Sequence, residues 1–345
     1  MKKYFTGLDI LRFFAAFGVV NFHYFFGLTD KLSWYRYGNL GVQLFFFISG
    51  FVISQSVARS TTKEFIAGRF IRLFPLFWIT CTFTYIFTLV MPGGLPVRFP
   101  EYLISMTMLG DKLSQALGYG GLVDPSYWTL SVELLFYIMI GAFVYFFTWK
   151  RIRYFFWGWL IVSGASFLFQ IDQNFFMKLL LVRHASYFIT GGALALCFEE
   201  GRSHLQKYSD YILVTIAITY STMISYIALP PYFRPNPLDN NIIALAHPVL
   251  FILILIAIYL SRYLRSSRAK MICGVIGGLT YPLYLIHQTV GNTLIRYFSE
   301  LHSYPRTTVA LLTEIGMLGI AYITYRYDKK LRNYLRSRFL PKSIH

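Results

Sequence analysis

The sequence predicts an all-α, polytopic membrane helix bundle of about ten transmembrane helices with both termini cytoplasmic, and three observations carry that expectation. Of its 345 residues 56% are hydrophobic and only 14% charged, a balance unsuited to a solvated surface. Apolar runs of roughly 20 residues, enough to cross about 30 Å of hydrocarbon, recur from one end of the chain to the other. The basic residues behind the formal net charge of +17 cluster in short loops between those runs, the pattern of membrane topology rather than of a nucleic-acid-binding face.

The expected spans lie near 7–27, 38–58, 70–91, 126–148, 154–171, 175–198, 210–229, 241–261, 272–297 and 306–326. Met1-Lys2-Lys3 before an apolar run resembles a signal peptide, but Asp9, Arg12, Asn21 and His23 interrupt the run and no small-x-small cleavage site follows. The segment therefore reads as an uncleaved first span. Thr6-Gly-Leu-Asp9 reads as a capping box that starts it. Ten spans put both termini on one side and divide the loops into two sets. About 22 Lys and Arg fall in one set and about 9 in the other, which makes the first set cytoplasmic.

The longest outer loop, about 92–125, holds Pro92-Gly-Gly-Leu-Pro96 and a weakly amphipathic stretch from Glu101 to Leu117, a pattern for a surface or re-entrant segment. Residues 1–330 read as one transmembrane domain and 331–345 as a basic cytoplasmic tail. No internal repeat is visible, which disfavours inverted-repeat transporters. Cys81, Cys197 and Cys273 sit alone in separate apolar segments with neither disulfide nor zinc spacing, and no metal site is expected.

Charged residues inside spans are costly, so they mark either function or an internal ion pair. Arg12 and His23, eleven residues apart, return to within roughly 20° on a helix and stand about 16 Å apart along its axis. His23, Glu133, Arg183, His287 and Glu314 come from five spans and all fall about 20 Å from the inner face, which predicts a polar cavity in the outer half of the membrane. The structural alternative is ion pairs, such as Glu133 with Arg183, that fix helix register. At the cytoplasmic edge Arg69 and Arg72 share a helix face, placed to bind donor phosphates through bidentate contacts or to anchor on lipid phosphate. Ser49, in Ser49-Gly50-Phe51, is either a transient acyl acceptor or a small residue at a helix contact.

Several motifs in order resemble the acyltransferase-3 family of bacterial membrane O-acyltransferases. They are Leu8-Asp9-Ile10-Leu11-Arg12 with His23; Phe46-Phe47-Ile48-Ser49-Gly50-Phe51; Arg69-x-x-Arg72-Leu-Phe-Pro75; Trp128-Thr129-Leu130-Ser131-Val132-Glu133; Tyr187-Phe188-x-x-Gly191; and Tyr281-Pro282-Leu283-Tyr284-Leu285-Ile286-His287, spread over about 280 residues. The resemblance implies transfer of an acyl group, commonly acetyl, from a cytoplasmic acyl-CoA such as acetyl-CoA to a hydroxyl of a surface glycan or its lipid-linked precursor. Acetyl-CoA is then a co-substrate, with no bound cofactor, and the setting is a bacterial cytoplasmic (inner) membrane. Arg12, His23, Arg69 and Arg72 match the family's function-critical positions, and Glu133 and His287 match further motif positions. The resemblance departs at the C-terminal end, where Tyr327-Asp328-Lys329-Lys330 stands in place of a Glu-x-Pro signature and no esterase-like domain follows.

The chemistry fits those residues. Acyl transfer to an alcohol needs a base beside the hydroxyl, and His is easily poised for it at neutral pH. His23 is the expected base, with Glu133 orienting it, Arg12 guiding the donor, and Arg69, Arg72 and Ser49 on the donor side. His287, Tyr284, Trp128, Arg183 and Glu314 are the expected cavity or acceptor residues. Two rival classes remain: a carrier for an acid or glycan intermediate that uses the same polar layer, and a structural partner of an envelope-polymer synthase.

Overall fold

The computed structural model describes residues 4–27, 30–94, 96–227 and 237–340. Lys2, Lys3, Leu95, Arg234, Lys342 and residues 228–229 of an expected span lie outside the described residues. Among the described residues there is no strand, and thirteen α-helices follow in order. They are α1 (Thr6–Phe25), α2 (Gly41–Val57), α3 (Thr62–Val90), α4 (Phe99–Ser105), α5 (Gly110–Leu117), α6 (Trp128–Phe146), α7 (Ile152–Leu168), α8 (Phe175–Leu179), α9 (Ala185–Cys197), α10 (His204–Ile227), α11 (Pro237–Leu260), α12 (Ser267–Arg296) and α13 (Arg306–Phe339).

Among the described residues eight helical stretches are long and apolar enough to cross a bilayer, at 6–25, 34–57, 62–90, 125–146, 204–227, 241–260, 267–301 and 306–339. The other two expected spans are shorter elements. In place of the span expected at 154–171 stands α7, of 17 residues, which ends at Leu168. Residues 175–198 do not form one helix: Asn174 caps α8 by accepting from the Phe176 N–H, Leu181 takes a left-handed φ of 53°, and α9 begins only at Ala185 and is 13 residues long. Every residue of α9 from Ala185 to Leu196 is buried, so its all-round apolar surface faces protein.

The chain divides into two compact units. The first comprises residues 1–8, 42–66 and 135–263, with α9 as its central helix packed on α10 and α7. A Cβ on Gly50 would run into the Phe188 carbonyl, and one on Gly191 into the Phe47 carbonyl. The two glycine motifs thus let the backbones of α2 and α9 touch reciprocally. Around this contact Phe188 stacks on Phe136 at 4.2 Å between centroids. At one end Asp210, fully buried, accepts from Arg153 Nε at 2.6 Å and Nη2 at 2.8 Å, so Arg153 serves as a buried ion-pair partner as well as a loop charge.

The second unit comprises residues 9–41, 67–134 and 264–345, with α12 packed along α13. Gly278 leaves room for the Tyr325 ring and Gly277 for Asp9. A 3-10 segment over Asp30–Leu40 returns along α1, where Gly38 faces the Gly18 carbonyl with no room for a side chain. The expected amphipathic stretch 101–117 is two short helices, α4 and α5, held to α3. Trp78 Nε1 donates to the Met106 carbonyl at 2.9 Å and Tyr85 stacks on Tyr102 at 4.4 Å. Buried Met108, with a φ of 62°, turns its carbonyl to accept from Ser131 Oγ on α6 at 2.7 Å. The loop is therefore seated within its unit through α3 and α6.

These contacts predict that Gly50→Ala and Gly191→Ala each lower the thermal midpoint of the purified protein sharply or abolish its accumulation, because the obstructing atoms are backbone. Gly158→Ala, where nothing lies within 4 Å of the added methyl, leaves the midpoint unchanged or raised. Equal midpoints for all three variants would contradict the close α2–α9 contact.

Candidate active site

The site is built on α12 just past Pro282, which has no N–H to give the Gly278 carbonyl and so loosens the helix there. His287 follows, fully buried, with Nδ1 2.8 Å from the Tyr284 carbonyl. A carbonyl only accepts, so Nδ1 carries the hydrogen and the neutral ring keeps a bare lone pair on Nε2. That Nε2 is buried and has no hydrogen-bond partner among the described residues. An unpartnered buried nitrogen is costly, and here it is the atom that a proton-transfer site needs.

Side chains from three directions hold this turn of α12 by its main chain. Tyr24 OH donates to the His287 carbonyl at 2.8 Å, and Tyr127 OH to the Leu285 carbonyl at 3.1 Å. The Thr289 N–H donates to Asp124 Oδ2 at 2.8 Å, while Asp124 Oδ1 takes the Ser126 N–H at 2.8 Å and hydroxyl at 2.6 Å. The Tyr284 hydroxyl meets Thr129 Oγ1 at 2.7 Å, tying α12 to the first turn of α6. Asp124 lies just before the span that opens at Pro125. Burial pushes its carboxyl above the usual aspartate range, and the Ser126 and Thr289 donors act in the opposite direction.

Helix α1 brings the second imidazole. The His23 ring centroid is 5.2 Å from that of His287, with the planes at 48°, and His23 is only half-buried where His287 is sealed. The neighbouring Tyr24 reaches the His287 carbonyl only because residue 291 is glycine: a Cβ there would collide with the Tyr24 hydroxyl. Two residues before His23, Asn21 Nδ2 donates to Glu314 Oε1 on α13 at 2.8 Å and also to the Phe17 carbonyl at 2.8 Å. One stretch of α1, Asn21 to Tyr24, thus carries three polar side chains toward α12 and α13.

Of the residues expected from sequence, His23, His287, Tyr284 and Glu314 are joined by these contacts. Trp128 and Glu133 are half-buried on α6, Glu133 one turn beyond Thr129, and Arg12 lies on α1 three turns before His23. Arg69 and Arg72 stand on α3, where the Leu73 carbonyl accepts from Tyr281 OH of α12 at 2.9 Å. Ser49 and Arg183 belong to the first unit. Ser49 is buried beside Gly50 at the α2–α9 contact. Arg183 lies in the turn before α9, with its Nε 2.6 Å from Asp172, so its ion-pair partner there is Asp172. Sequence reasoning missed Asp124, Asn21, Tyr24 and Tyr127. Asp124 had a signal, an Asp before Pro125 at a helix start, whereas a tyrosine hydroxyl in an apolar run had none.

The profile of an acyltransferase family, described as an acyltransferase domain, matches residues 5–326. The chain belongs to the acyltransferase-3 family. It is an acyltransferase and a multi-pass membrane protein. Nodulation protein 10 of Rhizobium leguminosarum bv. viciae is 26% identical over 84% of this chain and 84% of its own length. The O-acetyltransferase OatA of Staphylococcus aureus (strain NCTC 8325 / PS 47) is 31% identical, over 40% of this chain and 24% of its own length. An O-acetyl transferase of Shigella phage Sf6 is 30% identical over 39% of this chain and 44% of that protein. No solved structure matches significantly. The family match places both histidines and all the α12 ties inside the acyltransferase domain.

Asp124→Asn tests this arrangement. The amide must turn an N–H toward the Thr289 N–H or the Ser126 donors, leaving a buried donor unmet at about 1–3 kcal/mol. The expected outcome is a lower melting temperature in detergent together with reduced activity. An unchanged melt would mean that the carboxylate does not hold the loop to α12.

Proposed function

We propose that this acyltransferase moves an acyl group, acetyl in the first instance, from a cytoplasmic acyl-CoA to a hydroxyl of a cell-envelope glycan or its lipid-linked precursor, in a bacterial cytoplasmic membrane. Two relatives named as O-acetyl transferases support the acetyl group and the oxygen acceptor. The loop charge asymmetry supports cytoplasmic termini, and eight or ten spans are both even numbers, so that reading does not turn on α7 and α9.

The observation that carries the mechanism is the His23–His287 pair with a bare Nε2 on the buried partner. Nε2 can only accept, so when the pair closes on an acceptor His23 donates one ring N–H to it, which leaves the other His23 nitrogen bare. That nitrogen takes the proton of the acceptor hydroxyl as its oxygen attacks the thioester carbonyl. The C–O bond forms, the C–S bond breaks, and the proton passes to the departing thiolate, giving the ester and the free thiol of CoA. His287 does for His23 what a carboxylate does in other acyl-transfer sites: it fixes the tautomer and steadies the imidazolium. Hydrogen bonds of this kind tighten only in the Michaelis complex, in keeping with the unpaired Nε2 of the free site. Arg12 is placed to guide the donor's thioester toward His23, and Arg69 and Arg72 to hold its phosphates.

His23→Ala is expected to lower acyl transfer by about 10²–10⁴ while membrane abundance and melting temperature hold. His287→Ala, which removes an orienting group, leaves turnover above that of the His23 variant. Transfer at wild-type rate by folded His23→Ala would overturn the mechanism, and flux of an unmodified acid or glycan in place of ester formation would favour a carrier.

A further inference from the structure

The first unit holds a second polar cluster, which the site above does not use. Helices α9, α10 and α11 each place one side chain in it: Tyr187, Ser225 and His247. Ser225 Oγ lies 3.2 Å from His247 Nε2 and 3.0 Å from the Tyr187 hydroxyl. The imidazole is fully buried, with its ring stacked on Tyr187 at 5.4 Å between centroids and met edge-on by Phe47 at 6.3 Å, so its plane is fixed.

The direction of these hydrogen bonds follows from the donors available. If Tyr187 donates to Ser225 and Ser225 to Nε2, both hydroxyl hydrogens are used and only the Nδ1 hydrogen goes unmet among the described residues. Any other arrangement leaves at least two polar groups unmet, at a further cost. Ser225 therefore turns its hydrogen toward a bare imidazole nitrogen, the arrangement of a hydroxyl nucleophile and its base.

A groove of about 550 Å³ runs between the two helices that carry this pair. It is lined by Ile218, Thr222, Met223 and Tyr226 of α10 and by Leu245 and Pro248 of α11, which bracket Ser225 on one helix and His247 on the other. Met223, Tyr226 and Leu245 are exposed, so the groove opens toward lipid. From Ile218 to Tyr226 it follows α10 for about 12 Å. Ser225 is half-buried and stands two residues from the end of α10, at the depth where hydrocarbon gives way to the ester groups of a bilayer. One turn before it on the same face, the Thr222 hydroxyl is buried with no hydrogen-bond partner among the described residues. That hydroxyl is a free donor beside the nucleophile, as a developing oxyanion needs.

We propose that Ser225 and His247 form a second acyl-transfer centre, which takes an acyl chain from the ester of a membrane lipid lying in this groove. The Ser225 oxygen attacks the ester carbonyl, its proton passes to His247 Nε2, and Thr222 donates to the oxyanion. The bond from the acyl carbon to the glycerol oxygen breaks, that oxygen takes the proton, and a lysolipid leaves a serine ester behind. Water, giving its proton to the same nitrogen, then releases the fatty acid and restores the serine. Tyr187 acts through Ser225, as a positioning residue. The centre is independent of the acyl-CoA reading above.

The test treats full-length protein in phosphatidylglycerol nanodiscs with a fluorophosphonate, which caps activated serines, and maps the adduct by mass spectrometry. The adduct is expected on Ser225, and without the inhibitor lysophosphatidylglycerol should accumulate in the discs. Ser225→Ala should abolish both, and His247→Ala should slow both by about 10²–10⁴. Ser225→Ala removes only a hydroxyl, so it carries the test if His247→Ala fails to fold. Leu245→Trp, which fills the groove, should slow both, whereas Ile252→Trp, exposed farther along α11, should not. His23→Ala should keep both, which separates this centre from the acyl-CoA reaction. No Ser225 adduct on folded wild-type protein would overturn the nucleophile, and an adduct without lysolipid would overturn the lipid ester as its substrate. Loss of both in folded His23→Ala would overturn the second centre.

Discussion

The main chain of α12 between Tyr284 and Thr289 is held by side chains from outside the helix, and the placing of His287 depends on it. In a bilayer no water reaches a backbone group loosened from its helix, so each must find a partner inside the protein. Pro282 leaves the Gly278 carbonyl without its helix donor, and farther along the same helix Tyr127 and Tyr24 donate hydroxyls to the carbonyls of Leu285 and His287 while Asp124 accepts from the N–H of Thr289. The bond from His287 Nδ1 to the Tyr284 carbonyl sets the ring on its own helix, and these ties set where that turn of the helix stands. The cost of satisfying α12 and the placement of the imidazole are one arrangement.

Glycine makes that arrangement possible by absence of volume. Gly291 lets the Tyr24 hydroxyl reach the helix and Gly278 lets the Tyr325 ring lie against it. In the first unit Gly50 and Gly191 do the same for backbone against backbone. Without a hydrophobic drive between helices, such close approach is a main source of adhesion in lipid. The motifs that resemble a family in sequence therefore divide into two physical kinds. Phe-Phe-Ile-Ser-Gly-Phe and Tyr-Phe-x-x-Gly serve packing, while the motifs carrying His23 and His287 meet around one polar point.

Much of this was legible in the sequence because the bilayer makes polar residues expensive. His23, His287 and Glu314 stood out against apolar runs, and a rise of 1.5 Å per residue sufficed to place them in one layer. Arg183 followed the same arithmetic but lies in a turn, since depth along a helix has no meaning where the helix is broken. That break was not visible: no proline stands within residues 175–198, and the left-handed residue there is Leu181 rather than a glycine. The partners of the site were hidden for a different reason. Asn21, Tyr24 and Tyr127 find their mates 150 or more residues away, and no local pattern marks a bond of that range. Composition gives residues 331–345 as a basic cytoplasmic tail and cannot show that Arg332 Nε lies 2.8 Å from the buried Asp328.

The account makes His287 act through His23 and gives it no independent chemistry. A double-mutant cycle on acyl-transfer rate, with His23→Ala, His287→Ala and the pair together in protein of matched folding, measures that dependence directly. The account predicts strong non-additivity, with the double variant no slower than His23→Ala alone. Additive losses would show two histidines working independently and would contradict the orienting role of His287.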